Sequence, residues 1–300
     1  MSDTPVDVVY TWVDWNDVEY QRVCARYAGE PEDLNPERFR DPFNFMKYSL
    51  RSLELYAPWV RDIYIFTRRP QAPHWLNMEH PRLKLVHHDQ LFDEPEYHPT
   101  FNCNVIESFF HRMPSARHLM YMNDDFLFGR ATEKTDFLTS DGKVRLMGTL
   151  FGERMAFRNR EKSKLSLGLI EHTPILMYLP YWQAMLEERP DLVHETRTHR
   201  FRQDDDLKMD KLYRIYLAGP VRDQVEIVPI WELLRYHRFH KVTNRYWWQR
   251  LQVAYLRWLR PKFYCLNDDM RDNPDPRVVS LIQQFLQESY PEPSSFEKAP

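Results

Sequence analysis

The stretch HLMYMNDDFLFG, His118 to Gly129, decides the fold. An apolar run over 118–122 stops at Asn123, Asp124 and Asp125, and the chain then turns apolar again. A short apolar run bounded by polar residues reads as a buried strand. The acids at its end admit two readings. Either Asn123 or Asp124 caps the next element in a solvated turn, or the pair holds a divalent cation. Adjacent carboxylates repel, and no Lys or Arg follows them before Arg130. Oxygen-only ligation of this kind suits Mg²⁺ or Mn²⁺.

Working outward, the elements alternate. Residues 6–13 read as a strand of β-branched and aromatic residues that ends at Asp14 and Asp17. Over 43–57, Met46, Leu50, Leu53 and Ala57 fall at helical spacing, and Pro58 closes the segment. Residues 62–67 and 83–88 read as strands, and 104–113 as a helix. The order predicts an α/β fold with a mainly parallel sheet and helices on its faces. In such sheets ligands sit beyond the carboxyl ends of the strands. If the strands ending at Asp14/Asp17 and at Asp124/Asp125 are parallel neighbours, four carboxylates converge on one edge.

The second half is less regular. An Asp141-Gly142 turn between apolar runs signals a hairpin, and the basic run 154–164 reads as an exposed loop or flap. Helices are expected over 174–188, 205–217, 242–259 and 275–288. The Trp- and Tyr-rich stretch 244–258 reads as an amphipathic core helix, with stacking on sugar rings or lying on a membrane surface as alternatives. The organisation expected is one catalytic domain over 1–290. Its core spans about 5–150 and a flap and helical part about 151–290, followed by a frayed Pro/Ser-rich tail over 291–300.

Composition excludes several function classes. At 43% hydrophobic and 15% aromatic residues the 300-residue chain is globular. It has 7 Gly and neither GxGxxG nor GxxxxGK[ST], so a Gly-rich phosphate loop is ruled out. A net charge of −3 gives no global attraction to nucleic acid. Cys24, Cys103 and Cys265 form no CxxC pair, which fits a reducing compartment better than a disulfide framework or a thiolate zinc site. No run approaches the ~20 apolar residues of a membrane span, and the expectation is a soluble, cytoplasmic protein.

Two further places invite chemistry. The stretch HETRTHRFRQDDD, His194 to Asp206, is a salt-bridged surface loop with its acids near a helix start, or a phosphate-binding group built on Arg197, Arg200 and Arg202. His172, in IEHTPIL, is a hydrogen-bonded core residue or a general base, since histidine in general titrates near neutrality. His111, His118, His237 and His240 read as structural, and Cys103 lacks the partner pattern of a nucleophile.

Taken together, several stretches resemble the Stealth family. DVVYTWVDWND (7–17), RFRDPFNFMKYSLRSLELYAPWVRDIYIFT (38–67), HPTFNCNVIESFFHRMP (98–114) with YMNDDFLFG, EHTP (171–174) with HRFRQDDDL, and FYCLNDDM (263–270) follow the order of its four regions. The resemblance implies a hexose-1-phosphate transferase on a Rossmann-like, glycosyltransferase-type core. Such an enzyme moves a sugar 1-phosphate from a nucleotide-sugar, typically a UDP-hexosamine, to a glycan hydroxyl and releases UMP. It implies Asn123, Asp124 and Asp125 at the metal and diphosphate, His172 as the catalytic histidine, Arg202 as the arginine of the third region, and Asn267 and Asp268 in the fourth.

The site expected is therefore His172, Arg202 and Asp125 for catalysis; Asp124, Asp125 and Asp268 for Mg²⁺ or Mn²⁺; and Asp14, Asp17, Asn123 and Arg200 for the nucleotide. The partners expected are a nucleotide-sugar donor and a glycan acceptor, with no nucleic acid, and association at the inner membrane or with capsule machinery. Trp15-Asn16 stands where many relatives have Gly-Ser or Gly-Thr, Phe43-Asn44-Phe45 replaces an acidic stretch, and Lys47 stands where Arg is common. The alternatives are a glycosyltransferase that moves the sugar alone and an inactive glycan- or nucleotide-binding module.

Overall fold

A computed structural model of the chain describes residues 4–27, 41–92, 94–147, 172–271 and 273–299; the basic run 154–164 and Glu171 lie outside the described residues. The strands are β1 (Val6–Thr11), β2 (Ile63–Thr67), β3 (Leu83–His87), β4 (His118–Met122), β5 (Phe126–Phe128), β6 (Val144–Met147), β7 (Ile175–Tyr178), β8 (Val225–Val228), β9 (His237–Val242) and β10 (Phe263–Asp268). The helices are α1 (Val18–Tyr27), α2 (Phe45–Tyr56), α3 (His88–Leu91), α4 (Cys103–Glu107), α5 (Leu179–Glu187), α6 (Pro190–Thr198), α7 (Met209–Ala218), α8 (Ile230–Tyr236), α9 (Tyr246–Leu259) and α10 (Pro276–Ser289).

The main sheet runs β3-β2-β1-β4-β7. Its first four strands are parallel, and β7 is antiparallel to β4. The chain steps outward from β1 through β2 to β3, then returns to the other side of β1 as β4. Strand order reverses between β1 and β4, and a crevice opens outside their carboxyl ends at such a point. The α/β, mainly parallel core read from the sequence is the one observed.

A second sheet, β5-β10-β9, and a two-stranded one, β6-β8, complete the architecture. The helix expected over 174–188 begins too early. Residues 175–178 form β7, because a four-residue apolar run cannot declare its own periodicity. The Asp141-Gly142 turn forms, with Gly142 at φ +88° and Thr139 N–H donating to the Lys143 carbonyl at 2.9 Å. The strand after it, β6, then pairs in parallel with β8.

Helices cover both faces of the main sheet. Helix α2 packs on the face that carries Tyr10, whose hydroxyl meets Ser49 Oγ at 2.8 Å. Ser52 Oγ of the same helix accepts from Phe128 N–H at 3.0 Å, which ties α2 to β5 as well. The opposite face carries Tyr121, whose hydroxyl donates to Glu107 of α4 at 3.0 Å. Between the layers Val8, Ile63, Ile65, Leu119 and Met120 are fully buried.

Asp7, wholly buried at the start of β1, fixes how the strands begin. Arg61 donates to both its oxygens, at 2.8 and 2.6 Å. The backbone N–H groups of Asp62 and Ala116 add bonds at 3.2 and 2.7 Å. One carboxylate thus pins the segments entering β2 and β4 to β1.

The tail over 291–300, expected to fray, is docked as far as residue 299. Phe296 is fully buried, and the Asn77 N–H donates to its carbonyl at 2.7 Å. Glu297 takes a two-pronged bond from buried Arg51, at 2.6 and 2.8 Å, and an ion pair from Lys47 at 3.1 Å. Burial opposes ionisation of Glu297, but Arg51, the Ser294 N–H and Lys47 outweigh it and hold the carboxyl at about 2. An apolar anchor and a two-sided ion pair, three residues from the end, are what composition alone misses.

Candidate active site

Four segments meet at the carboxyl ends of β1 and β4. Strand β4 releases Asn123, Asp124 and Asp125, and the chain re-enters a sheet at once as β5. Strand β7 runs against β4 with Tyr121 opposite Ile175, so the residues just ahead of β7 lie at the same edge. His172 is one of them. Strand β10 runs against β5 with Cys265 opposite Phe126, and Leu266 N–H donates to the Asp125 carbonyl at 3.0 Å. This register brings Cys265 and Asn267, two residues apart and on one face of β10, onto the Asp125 side chain. The thiol donates to Oδ2 at 3.1 Å and the Asn267 side chain bonds the same carboxylate. The other oxygen, Oδ1, is buried with no hydrogen-bond partner.

The electrostatics are those of crowded acids. Burial raises Asp124 well above the ordinary carboxylate range, and the charges of Asp125 and Asp41 raise it further. Asp125 is raised by burial too, with Cys265, His172 and Asn267 pulling the other way. Asp41 is pushed up to about 6, chiefly by burial, although its Oδ1 accepts from the N–H groups of Phe43 and Phe45 at 3.1 and 3.0 Å as α2 begins. Asp41 was not among the residues expected. An acid before Pro42 reads as a turn former, and only the fold sets it beside Asp124. Half-buried carboxylates, an amide and one unpartnered oxygen are oxygen donors of the kind that suits a hard divalent cation.

His172 is held from two sides. Its carbonyl meets His237 Nε2 at 2.9 Å, and its ring stacks on Phe239 at 4.5 Å and 29°. Its φ of 56° is in the left-handed region, a conformation that persists only where surrounding contacts impose it. His237, read as structural, does this holding. Burial pushes its imidazole down to about 4, so it stays neutral.

Arg202 approaches the β4 end from the Tyr121 face. Its guanidinium donates to Cys103 Sγ, with Glu107 and Tyr121 nearby. Glu107 sits deeply buried there, with Oε2 unpartnered. Burial first and then Asp210 push its carboxyl up to about 8.

Other expected residues serve elsewhere. Asp17 caps α1, accepting from the N–H groups of Glu19 and Tyr20 with Oδ1, while its Oδ2 accepts from Gln71 at 2.9 Å. Asp14 Oδ1 accepts from Asn16 N–H at 2.9 Å in the same turn. The strand ends are neighbours as expected, and these carboxylates shape the loop that follows β1. Arg200 donates to the carbonyls of His98 and Pro99 at 2.5 and 2.8 Å and lies over the Tyr27 ring, so it fastens a loop. Asp268 points to the opposite face of β10 from Asn267 and accepts from Met270 N–H at 2.9 Å. Asn267, rather than Asp268, meets Asp125. Asn123 closes the turn, its carbonyl accepting from Phe126 N–H at 3.1 Å.

Among the described residues, the His/Asp group whose ligand atoms already lie within 4.8 Å of one another is a different one, His199, Asp205 and Asp206. Asp206 is already spoken for. It bonds His199 Nδ1 at 2.7 Å, Asn102 at 2.6 Å and the Gln203 N–H at 2.9 Å, which clasps the 199–207 loop onto the start of α4.

Two family models match parts of the chain, the first taking in Asp41, Asp124 and Asp125 and the second Asn267. Stealth protein CR2, conserved region 2, matches residues 38–146, and Stealth protein CR4, conserved region 4, matches residues 254–300. The chain belongs to the Stealth family. An exopolysaccharide phosphotransferase of Streptomyces coelicolor is 31% identical over 98% of this chain and 52% of its own length. A capsular polysaccharide phosphotransferase of Haemophilus influenzae is 28% identical over 90% of this chain and 79% of its own. This Stealth chain spans about half the length of the Streptomyces relatives it matches. Among solved structures, a galactosyltransferase LgtC complex with donor and acceptor sugar analogs covers 98% of this chain and 97% of that one, at 12% identity and a TM-score of 0.45. So loose a likeness adds nothing to the strand order described above.

Proposed function

We propose that this Stealth protein transfers a sugar 1-phosphate from a nucleotide-sugar, a UDP-hexosamine, to a hydroxyl of an acceptor glycan, releasing UMP, in bacterial capsule or exopolysaccharide synthesis in the cytoplasm. The observation that carries the reading is the meeting of Asp124 and Asp125 with His172 at the switch point, where one Asp125 oxygen keeps no partner. The names of the relatives, exopolysaccharide and capsular polysaccharide phosphotransferases, support the reaction class.

Asp124, Asp125 and Asn267 would hold Mg²⁺ or Mn²⁺, with Asp41 adjoining. Such a cation supplies charge compensation for a diphosphate and a departing nucleotide. Arg202 would exchange its Cys103 contact for phosphate oxygens, which a guanidinium fork fits. His172, steadied by Phe239 and His237, would take the proton of the attacking hydroxyl. The new bond forms between that oxygen and the sugar-bearing phosphorus, and the bond from that phosphorus to the UMP oxygen breaks, so the anomeric bond is untouched.

A screen of nucleotide-sugars with Mg²⁺ and a glycan acceptor tests this by its product. UMP supports phosphosugar transfer. UDP would mean transfer of the sugar alone, and tight donor binding with neither product would mean a binding module.

A further inference from the structure

Helix α9 turns its aromatic side outward. Val253 and Leu256 are buried with the α10 side chains Ile282 and Phe285, and buried Gln249 bonds His240 of β9, whereas Trp247 is 71% exposed, Leu251 64% and Trp258 77%, with Trp248 and Tyr255 beside them. At ~100° per residue these five fall within an arc of roughly 100°. The helix thus has two apolar faces, and the core covers only one. Of the twelve large hydrophobic residues exposed among the described residues, eight lie between 231 and 258. Singly exposed apolar residues are ordinary, but a contiguous patch marks an interaction surface.

The charge around this patch is mainly basic, with Lys241, Arg257 and Lys262 paired to Asp269, Glu288 and Asp136. No Asp or Glu occurs from Leu233 to Asn267, a span with eight Lys or Arg in a chain whose net charge is −3. Arg250 lies along the patch with its guanidinium 5.2 Å from the Trp247 ring centre, and Arg238 reaches the Tyr255 hydroxyl at 3.2 Å. Beyond the carboxyl end of α9, Lys262 sits over the Tyr236 ring at the end of α8, whose Trp231 is 72% exposed.

We propose that this face lies on an anionic phospholipid bilayer, with α9 parallel to the surface. Tryptophan and leucine on one side and arginine along the edge are the makings of an interfacial helix, which sinks roughly 5–10 Å into the headgroup boundary. Charge complementarity selects the partner. Anionic headgroups neutralise the arginines, whereas a second copy would set two basic faces against each other. The place also matters. Helix α9 is the crossover between β9, which carries Phe239 onto His172, and β10, which carries Asn267 onto Asp125. The proposal is independent of the phosphotransfer reading.

The test is flotation of the whole chain with vesicles of phosphatidylcholine alone or mixed with phosphatidylglycerol, at low and high salt. The chain should float with the anionic vesicles only, less so in salt, and brominated lipids should quench its tryptophan fluorescence. Trp247→Ser with Trp258→Ser should weaken binding by about tenfold or more, since interfacial affinity scales with buried apolar area. Both side chains are exposed, so an unchanged melting curve should accompany the loss. Failure to float with either vesicle overturns the proposal, as does binding that the double substitution leaves intact. So does a dimer, seen by light scattering, that the same substitutions dissolve.

Discussion

The two ends of the main sheet treat buried acids in opposite ways. At the amino end Asp7 is wholly enclosed, and both its oxygens accept from Arg61 and from two backbone N–H groups. At the carboxyl end Asp125 keeps an unpartnered oxygen and stands beside Asp124 and Asp41, all three raised above the ordinary carboxylate range. A satisfied acid is architecture, since its bonds hold strands in register. A crowd of like-charged acids costs stability, and such a cost persists where the site needs the charge.

Substitution should separate the two ends. Asp125→Asn should lower turnover by about a thousandfold or more, the scale of losing a principal charge-stabilising group. Its melting temperature should hold or rise slightly, because the change relieves repulsion. Arg202→Lys keeps the charge but loses the fork, and should cost about a hundredfold in turnover. Arg200→Lys, which loosens only a loop, should leave turnover nearly unchanged. Normal turnover in the Arg202 variant together with a lowered melting temperature would make Arg202 a structural residue too.

Asp7→Ala should show the reverse pattern. Breaking a buried pair costs about 3 kcal/mol at the low end of the usual range, fitting here because Arg61 is half-exposed. Denaturant unfolding should show that loss, with turnover per folded molecule preserved. The tail offers a milder version of the same architecture. Glu297 titrates at about 2, below its ordinary value, so its stabilisation is full above the unfolded range near 4.5 and is lost as pH falls toward 2. Glu297→Gln should flatten that acid limb of a melting-temperature profile.

How much of this was legible follows from what local sequence can carry. The parallel core was legible because the apolar runs of β1 to β4 are bounded by turn residues and separated by helical spacing. Asp124 and Asp125 were legible because two acids ending such a run need a reason. Strands β7 and β10 were not, because four to six apolar residues do not name their partners, and β10 finds β5 across more than a hundred residues. That gap left Asp268, and not Asn267, in the expected metal set. Once 263–268 is a strand, alternation puts Asn267 with Cys265 toward Asp125 and Asp268 away. Asp41 was hidden for the same reason. Helix α9 was read as a core helix since its spacing shows apolar residues but not which of two apolar faces turns inward.

The measurement that bears most directly on the contrast between the two ends is Mn²⁺ binding with UDP present, followed by electron paramagnetic resonance. The wild-type chain and the Asp7→Ala variant, below its melting temperature, should bind one ion. Asp124→Asn and Asp125→Asn should lose it while melting no lower than wild type without metal. If the wild-type chain binds no ion, or if the Asp125 variant binds normally and unfolds early like the Asp7 variant, the carboxyl-end acids are architecture as well and the assignment of the site is wrong.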